Sequence, residues 1–293
     1  MVPGNIQEKY LSRYKMKITR RQFIKKAALY GGIGILASYP VLVETHLLHI
    51  NHYNIPVSNL PHSFHGFKIV HITDIHFGPL VSLNFVRNVI HKANAIPADM
   101  IVCTGDYVHE KHSKTHIDTV WPVLSQLKAQ YGVYSVLGNH DHWADFEQSQ
   151  YWLERTGQNL RHKSVKISKD GEDLWLAGAG DHFEDSLGID KALKNVPPDN
   201  CKIVLAHNPD SADQMFRSTV DLFISGHTHG GQVNIPFVGP LILPVANKNY
   251  SSGYIQSEKF GVFISRGIGW AIIPVRFNCF PEIAVLNLTP MES

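Results

Sequence analysis

Five apolar runs in this chain each lead directly into side chains of the kinds that bind metal ions. Residues 67–73 are followed by Asp74 and His76, 100–104 by Asp106, and 133–137 by Asn139 and His140. Residues 202–206 are followed by His207, and 221–225 by His227 and His229. The runs are short, rich in Val and Ile, and bounded by Gly or polar residues, which is how buried strands read. Residues 174–177, 261–265 and 283–288 read the same way. Helical spacing appears at 82–95, 115–128, 146–156 and, more briefly, 212–217. The alternation predicts an α/β domain. Helix thins out between the last four strands, which predicts a second sheet packed on the first.

If these runs are strands, every candidate ligand sits just past a strand's carboxyl end, where loops converge over a rigid sheet. Two divalent cations about 3.5–4 Å apart repel each other, so a carboxylate has to lie between them. Asp106 is the bridging candidate. A mixed His, Asp and Asn set suits Mn, Fe or Zn, with Mn favoured and calcium disfavoured. Taken singly, each residue has an ordinary alternative: Asp74 and Asp106 as turn residues, His76 on the surface, Asn139 as the cap of the following helix. His227 and His229 would share one face of a strand, whereas a tight turn would splay them apart. The joint pattern favours a metal site.

Asp74-x-His76, Gly105-Asp106, Gly138-Asn139-His140-Asp141, His207 and Gly226-His227-Thr228-His229 resemble, in order, the five blocks of the calcineurin-like metallophosphoesterases. The resemblance implies one metal held by Asp74, His76, Asp106 and His229, and a second held by Asp106, Asn139, His207 and His227. It also implies an α/β fold with a two-sheet β-sandwich flanked by helices. A narrower similarity, to YaeI/YkuE-type envelope phosphodiesterases, rests on Ala206-His207-Asn208-Pro209-Asp210, His229-Gly230-Gly231-Gln232, Ser265-Arg266-Gly267-Ile268-Gly269 and Arg276-Phe277-Asn278-Cys279. Related members hydrolyse UDP-diacylglucosamine, so a lipid-linked pyrophosphate is one substrate the similarity allows.

The chemistry expected is hydrolysis of a phosphodiester or pyrophosphate bond, with the metal pair making water nucleophilic near neutral pH. His140 is the expected catalytic residue, stabilising the transition state or protonating the departing alkoxide. Asp141 and His142 are lesser candidates, the family pattern often having Glu where Asp141 stands. Arg266 and Arg276 read either as phosphate clamps or as surface ion pairs. Phe237, Trp143 and Trp270 read as cleft or core, and residues 235–254, rich in Pro and Gly, as a substrate-facing loop. Neither a G-x-S-x-G elbow nor a GxxxxGK[ST] loop occurs, which leaves serine-hydrolase and P-loop mechanisms without support. Alternatives of other kinds are a soluble nucleotide or general phosphodiesterase and a non-catalytic scaffold that binds a phosphorylated partner.

The first 45 residues read as an address. Thr19-Arg20-Arg21-Gln22-Phe23-Ile24-Lys25 resembles the twin-arginine export pattern, and no charge falls between Lys26 and Glu44. Lys15, Lys17, Arg20, Arg21, Lys25 and Lys26 crowd the leading end. The expectation is a signal or membrane anchor at 1–45 and a catalytic domain at 60–293. Export by the twin-arginine machinery would place the protein on the outer face of the cytoplasmic membrane. A net charge of +2, from 27 basic and 25 acidic residues, gives no reason to expect a nucleic-acid partner. Three cysteines without a C-x-x-C pair exclude a disulfide framework and a zinc finger.

Overall fold

Apolar side chains alternate inward and outward along the strands, and that period sets the layers. In a computed structural model describing residues 18–257 and 259–291, Ile69, Met100 and Val102 face a second sheet while Val70, Ile101 and Cys103 face helices. The first sheet has the order β1 (His49–Val57), β13 (Glu282–Pro290), β2 (Lys68–Ile72), β3 (Met100–Cys103), β4 (Val133–Ser135). The second has the order β11 (Gly253–Gln256), β12 (Gly261–Ile264), β8 (Leu222–Ser225), β7 (Cys201–Leu205), β6 (Glu172–Gly178), β5 (Ser164–Lys169). A small hairpin, β9 (Asn234–Ile235) with β10 (Gly239–Pro240), stands apart.

Between the sheets lies a core that includes Ile55, Ile69, Leu176, Ile203, Leu222, Phe263 and Leu286. On the outer face of the first sheet pack α2 (Leu83–Ala95), α3 (Lys114–Leu124) and α4 (Asn139–Arg155), through Val86, Ile90, Ile117, Trp121 and Leu153. The short α5 (Ile189–Leu193) covers the second sheet through Ile189 and Leu193. The molecule is therefore the expected two-sheet sandwich flanked by helices. β2, β3 and β4 run parallel, as do β6, β7, β8 and β12, so their carboxyl-terminal loops gather at one edge.

Several elements depart from the sequence reading. The last strand does not join the second sheet: β13 returns to the first, antiparallel to β2 and parallel to β1. The first sheet starts at β1, ahead of the residue-60 boundary, and Glu44 is buried with its Oε1 accepting from the Cys279 N–H at 2.7 Å. β1 carries His49, Asn51, His52 and Asn54, so its polar content hides a strand formed by pairing with β13. Residues 212–217 form no α-helix; a 3-10 turn spans Pro209–Asp213 instead. α4 begins at Asn139 rather than 146, with an extended break at Asp145 that separates the loop-borne first turn from the expected amphipathic part.

α1 (Arg20–Leu42) opens on a Thr19–Gln22 capping box and contains Pro40. Residues 1–17 of the expected address, including Lys15 and Lys17, lie outside the described residues. Among the described residues, no helix is long and apolar enough to cross a membrane.

Candidate metal centre

Backbone strain collects where the loops leave the strands. Asp74, His76, Asp106, His227 and His229 all adopt positive φ, between 51° and 67°, a region that non-glycine residues rarely enter. Such conformations cost on the order of 1–3 kcal/mol each and persist where surrounding contacts over-determine them. Those contacts are present: His76 N–H donates to the Asp106 carbonyl at 2.9 Å, Phe77 N–H to Tyr107 at 2.9 Å and His109 N–H to Phe77 at 3.0 Å. The first two loops are thus zipped together beyond the ends of β2 and β3. Gly138 and Gly226 bring backbone against the site, since a Cβ on either would collide with Asp106 Oδ1 or Asp74 Oδ2.

The sequence-predicted residues converge. Asp74, His76 and His229 bring ligand atoms together in one group, and Asp106, His207 and His227 in another. Asp106 joins them: its Oδ2 lies 3.5 Å from His76 Nε2 and 3.3 Å from His207 Nε2. His229 Nε2 lies 3.3 Å from Asp74 Oδ1. His227 and His229 are splayed by their turn, one into each group.

The hydrogen bonds on the far side of the rings show what the near side can do. His207 Nδ1 is 2.7 Å from the Thr104 carbonyl and His227 Nε2 is 3.1 Å from that of Pro244. A carbonyl only accepts, so both nitrogens carry hydrogen. The facing atoms, His207 Nε2 and His227 Nδ1, are 3.1 Å apart, and in neutral rings both present lone pairs. Two lone pairs at that distance require a cation between them or a proton on one ring. Without metal the proton resides on His207: burial opposes its charge, but Asp106 in contact overrides that and pushes its pKa up to about 10. His76 and His229 form a second facing pair, Nε2 to Nε2 at 3.0 Å. Burial holds both far below the usual imidazole value, as it does His227, down to about 3.

Asn139 is buried and its Oδ1 has no hydrogen-bond partner. It does not cap α4; Gly138 occupies that position and the Asn139 side chain makes no capping bond. An orphaned amide oxygen one residue past Gly138, whose backbone packs against Asp106 and His207, is a spare hard donor. Together the facing imidazoles, the shared carboxylate and this oxygen fit a pair of first-row divalent cations.

Around this donor set lie residues that the motif reading placed less well. Asp141 is buried and accepts from Asp106 N–H at 2.8 Å, Gly138 N–H at 2.9 Å and Tyr107 N–H at 2.9 Å, so it ties two ligand loops together. Arg276 is neither a phosphate clamp nor a surface ion pair. It is fully buried, donating to the carbonyls of Gly269, Cys279, Arg266 and Gly267, with Nη2 3.5 Å from His229 Nδ1. Trp270 is core, Phe237 is wholly exposed, and Trp143 rests on His140 with ring centroids 4.7 Å apart.

His109 was missed altogether. Its Nδ1 lies 3.4 Å from His76 Nδ1, and its carbonyl accepts from His140 Nδ1 at 2.7 Å. The signal for it was positional, three residues after Asp106 in a loop that pairs with the Asp74 loop. His140 also donates its backbone N–H to Asp106 Oδ1 at 2.9 Å.

A sandwich with carboxylate, amide and imidazole donors gathered at the strand ends defines a class, the metal-dependent phosphoesterases. The chain belongs to the calcineurin-like phosphoesterase family, whose profile matches residues 67–231 and spans every candidate ligand. It is 32% identical to the uncharacterized metallophosphoesterase YkuE of Bacillus subtilis over 284 residues, 93% of this chain and 98% of that protein. It is 31% identical to the phosphodiesterase YaeI of Escherichia coli over 227 residues, 76% of this chain and 82% of that one.

Proposed function

We propose that the protein is a dinuclear phosphodiesterase of the cell envelope. One divalent cation is held by Asp74, His76, Asp106 and His229, the other by Asp106, Asn139, His207 and His227, with Mn favoured over Fe or Zn. The observation that carries this reading is the position of Asp106 Oδ2, within 3.5 Å of a histidine from each group. When bound, the cations supply Lewis acidity toward the phosphoryl oxygens and a nucleophile from water at neutral pH.

The chain's own groups do the rest. Asp74 accepts the His227 N–H with both oxygens, at 3.1 and 2.9 Å, which fixes that turn against the first group. His140 keeps hydrogen on Nδ1 because the His109 carbonyl accepts it, so Nε2 is the nitrogen left to exchange a proton. As an imidazolium, His140 donates that Nε2 proton to the departing alkoxide. Asp141 and Arg276 hold the ligand loops in their strained geometry.

A lipid-linked diester or pyrophosphate is the substrate class we favour over a soluble nucleotide. Support comes from the surroundings of His227, where Pro244 closes the apolar segment that starts at Ile235 and the Phe183 ring lies 5.8 Å away. The twin-arginine pattern at 19–25 supports export to the outer face of the membrane. Metal analysis of the purified protein beside hydrolysis of bis(p-nitrophenyl) phosphate, with and without chelator, tests the core of this reading. About two metals per chain and chelator-sensitive turnover are expected. Full turnover in metal-free protein would refute it, and comparison with a lipid-linked pyrophosphate would separate the two substrate classes.

A further inference from the structure

Beyond residue 50, twelve large apolar side chains are exposed among the described residues, and eight of them sit on three loops around one edge of the metal centre. Phe237, Val238, Leu241 and Ile242 come from one loop, Ile272, Ile273 and Phe277 from a second, Leu80 from a third. The first two loops meet at Gln232, next to the His229–Gly231 turn. Gln232 Nε2 donates to the Ala271 carbonyl at 3.1 Å, and Leu241 N–H donates to Val233 at 3.2 Å. Leu80 and Ile272 line a common cavity with His76 and His109. A concentration of this kind at one edge is a contact surface, not scattered surface hydrophobicity.

The same edge continues into α1. Arg276 N–H donates to the Pro40 carbonyl at 2.9 Å, which places the end of that helix beside the second loop. Along α1, Phe23, Ile24, Leu29, Tyr30 and Ile35 are exposed in all directions, and Arg20, Arg21, Lys25 and Lys26 occupy its far end. The basic cluster at that end suits the surface of an anionic bilayer.

We infer that this rim is a bilayer-docking face. The protein settles on an anionic membrane with Phe237, Ile242 and Ile272 entering the headgroup region. The metal centre then opens toward lipid phosphates, and the substrate is taken from the plane of the membrane. Among the described residues no helix is long and apolar enough to cross a membrane. The substrate part of this inference rests on the phosphodiesterase reading; the docking part does not.

Two variants of the full chain test it. On vesicles of phosphatidylglycerol and phosphatidylethanolamine with brominated acyl chains, the indole added by Phe237→Trp should be quenched. That added by Met215→Trp, equally exposed and in the segment whose Arg217 N–H donates to Asp190 of α5, should not be. A Phe237→Ser/Ile242→Ser/Ile273→Ser variant, which spares the cavity that Ile272 shares with His76, should lose roughly tenfold or more of its turnover on a vesicle-borne p-nitrophenyl phospholipid diester, since interfacial binding scales with buried apolar area. Its turnover of soluble bis(p-nitrophenyl) phosphate should be unchanged. Quenching absent at 237, or equal at both positions, overturns the docking face, as does a triple variant that matches the wild type on vesicles. Quenching at 237 in the Phe237→Trp variant, with wild-type protein that hydrolyses neither substrate, keeps the docking face and refutes the phosphodiesterase reading.

Discussion

The buried carboxylate of Asp141 receives the backbone N–H of Asp106 at 2.8 Å, so a residue outside the proposed ligand set fixes the one that bridges it. Its three backbone donors come from two loops, and each carboxylate oxygen accepts at least one of them. In Asp141→Asn an amide NH2 must face one of these N–H groups. The unsatisfied donor costs about 1–3 kcal/mol. A lower urea midpoint together with weaker metal binding is expected; an unchanged midpoint would mean that other contacts hold the strained turns.

Asp106 and His140 should separate by what they lose. Asp106→Ala removes the carboxylate whose Oδ2 lies within 3.5 Å of a histidine ring from each group, so metal content should drop at both positions and turnover should vanish. His140→Ala leaves every proposed ligand in place. Its metal content should stay near the wild-type value, while turnover falls by about 10²–10⁴-fold, the usual contribution of a positioned acid. Elemental analysis and single-turnover kinetics check both, and equal metal loss would move His140 among the ligands.

The convergence of Asp74, Asp106, His207 and His229 was legible because each follows a strand whose apolar run is unmistakable, and parallel strands deliver their ends to one edge. What escaped depended on partners far away in sequence. β1 is polar enough that only its pairing with β13 makes it a strand, and β13 itself looks like any late strand until the sheet it joins is known. Arg276 read as a phosphate clamp or a surface ion pair because nothing nearby in sequence announces that the carbonyls of 266, 267, 269 and 279 enclose it. His109 escaped for a related reason, since its neighbour His76 lies on a different loop.

Arg276→Met keeps the volume of that buried side chain but strips several carbonyls of their donors. The loss should be about 3 kcal/mol or more, given about 1–3 kcal/mol for each orphaned group. For a domain of this size that lowers Tm by on the order of 6–12 °C. Because Nη2 reaches His229, metal should be lost first from the group that contains Asp74 and His76. Calorimetry with stepwise metal titration reads both effects, and a variant as stable as the wild type would show the carbonyls to be satisfied in another way.

Protons and metals should compete for His207. The near nitrogen of that ring must be bare to bind a cation, yet contact with Asp106 pushes its pKa up to about 10 against the opposing effect of burial. Over the range from about pH 7 to 10, each displaced proton should raise the apparent metal affinity about tenfold per pH unit, whereas an ordinary imidazole would level off above about 7. In metal-free protein the sign reverses. A histidine whose folded pKa is raised contributes stability that is complete below its unfolded value of about 6.5 and is lost as pH climbs through about 10. The metal-free form should therefore melt at progressively lower temperature as pH rises across that window, while the loaded form does not. Titration calorimetry in two buffers of different ionisation enthalpy counts the protons released, and zero release at pH 8 would show His207 neutral before metal arrives.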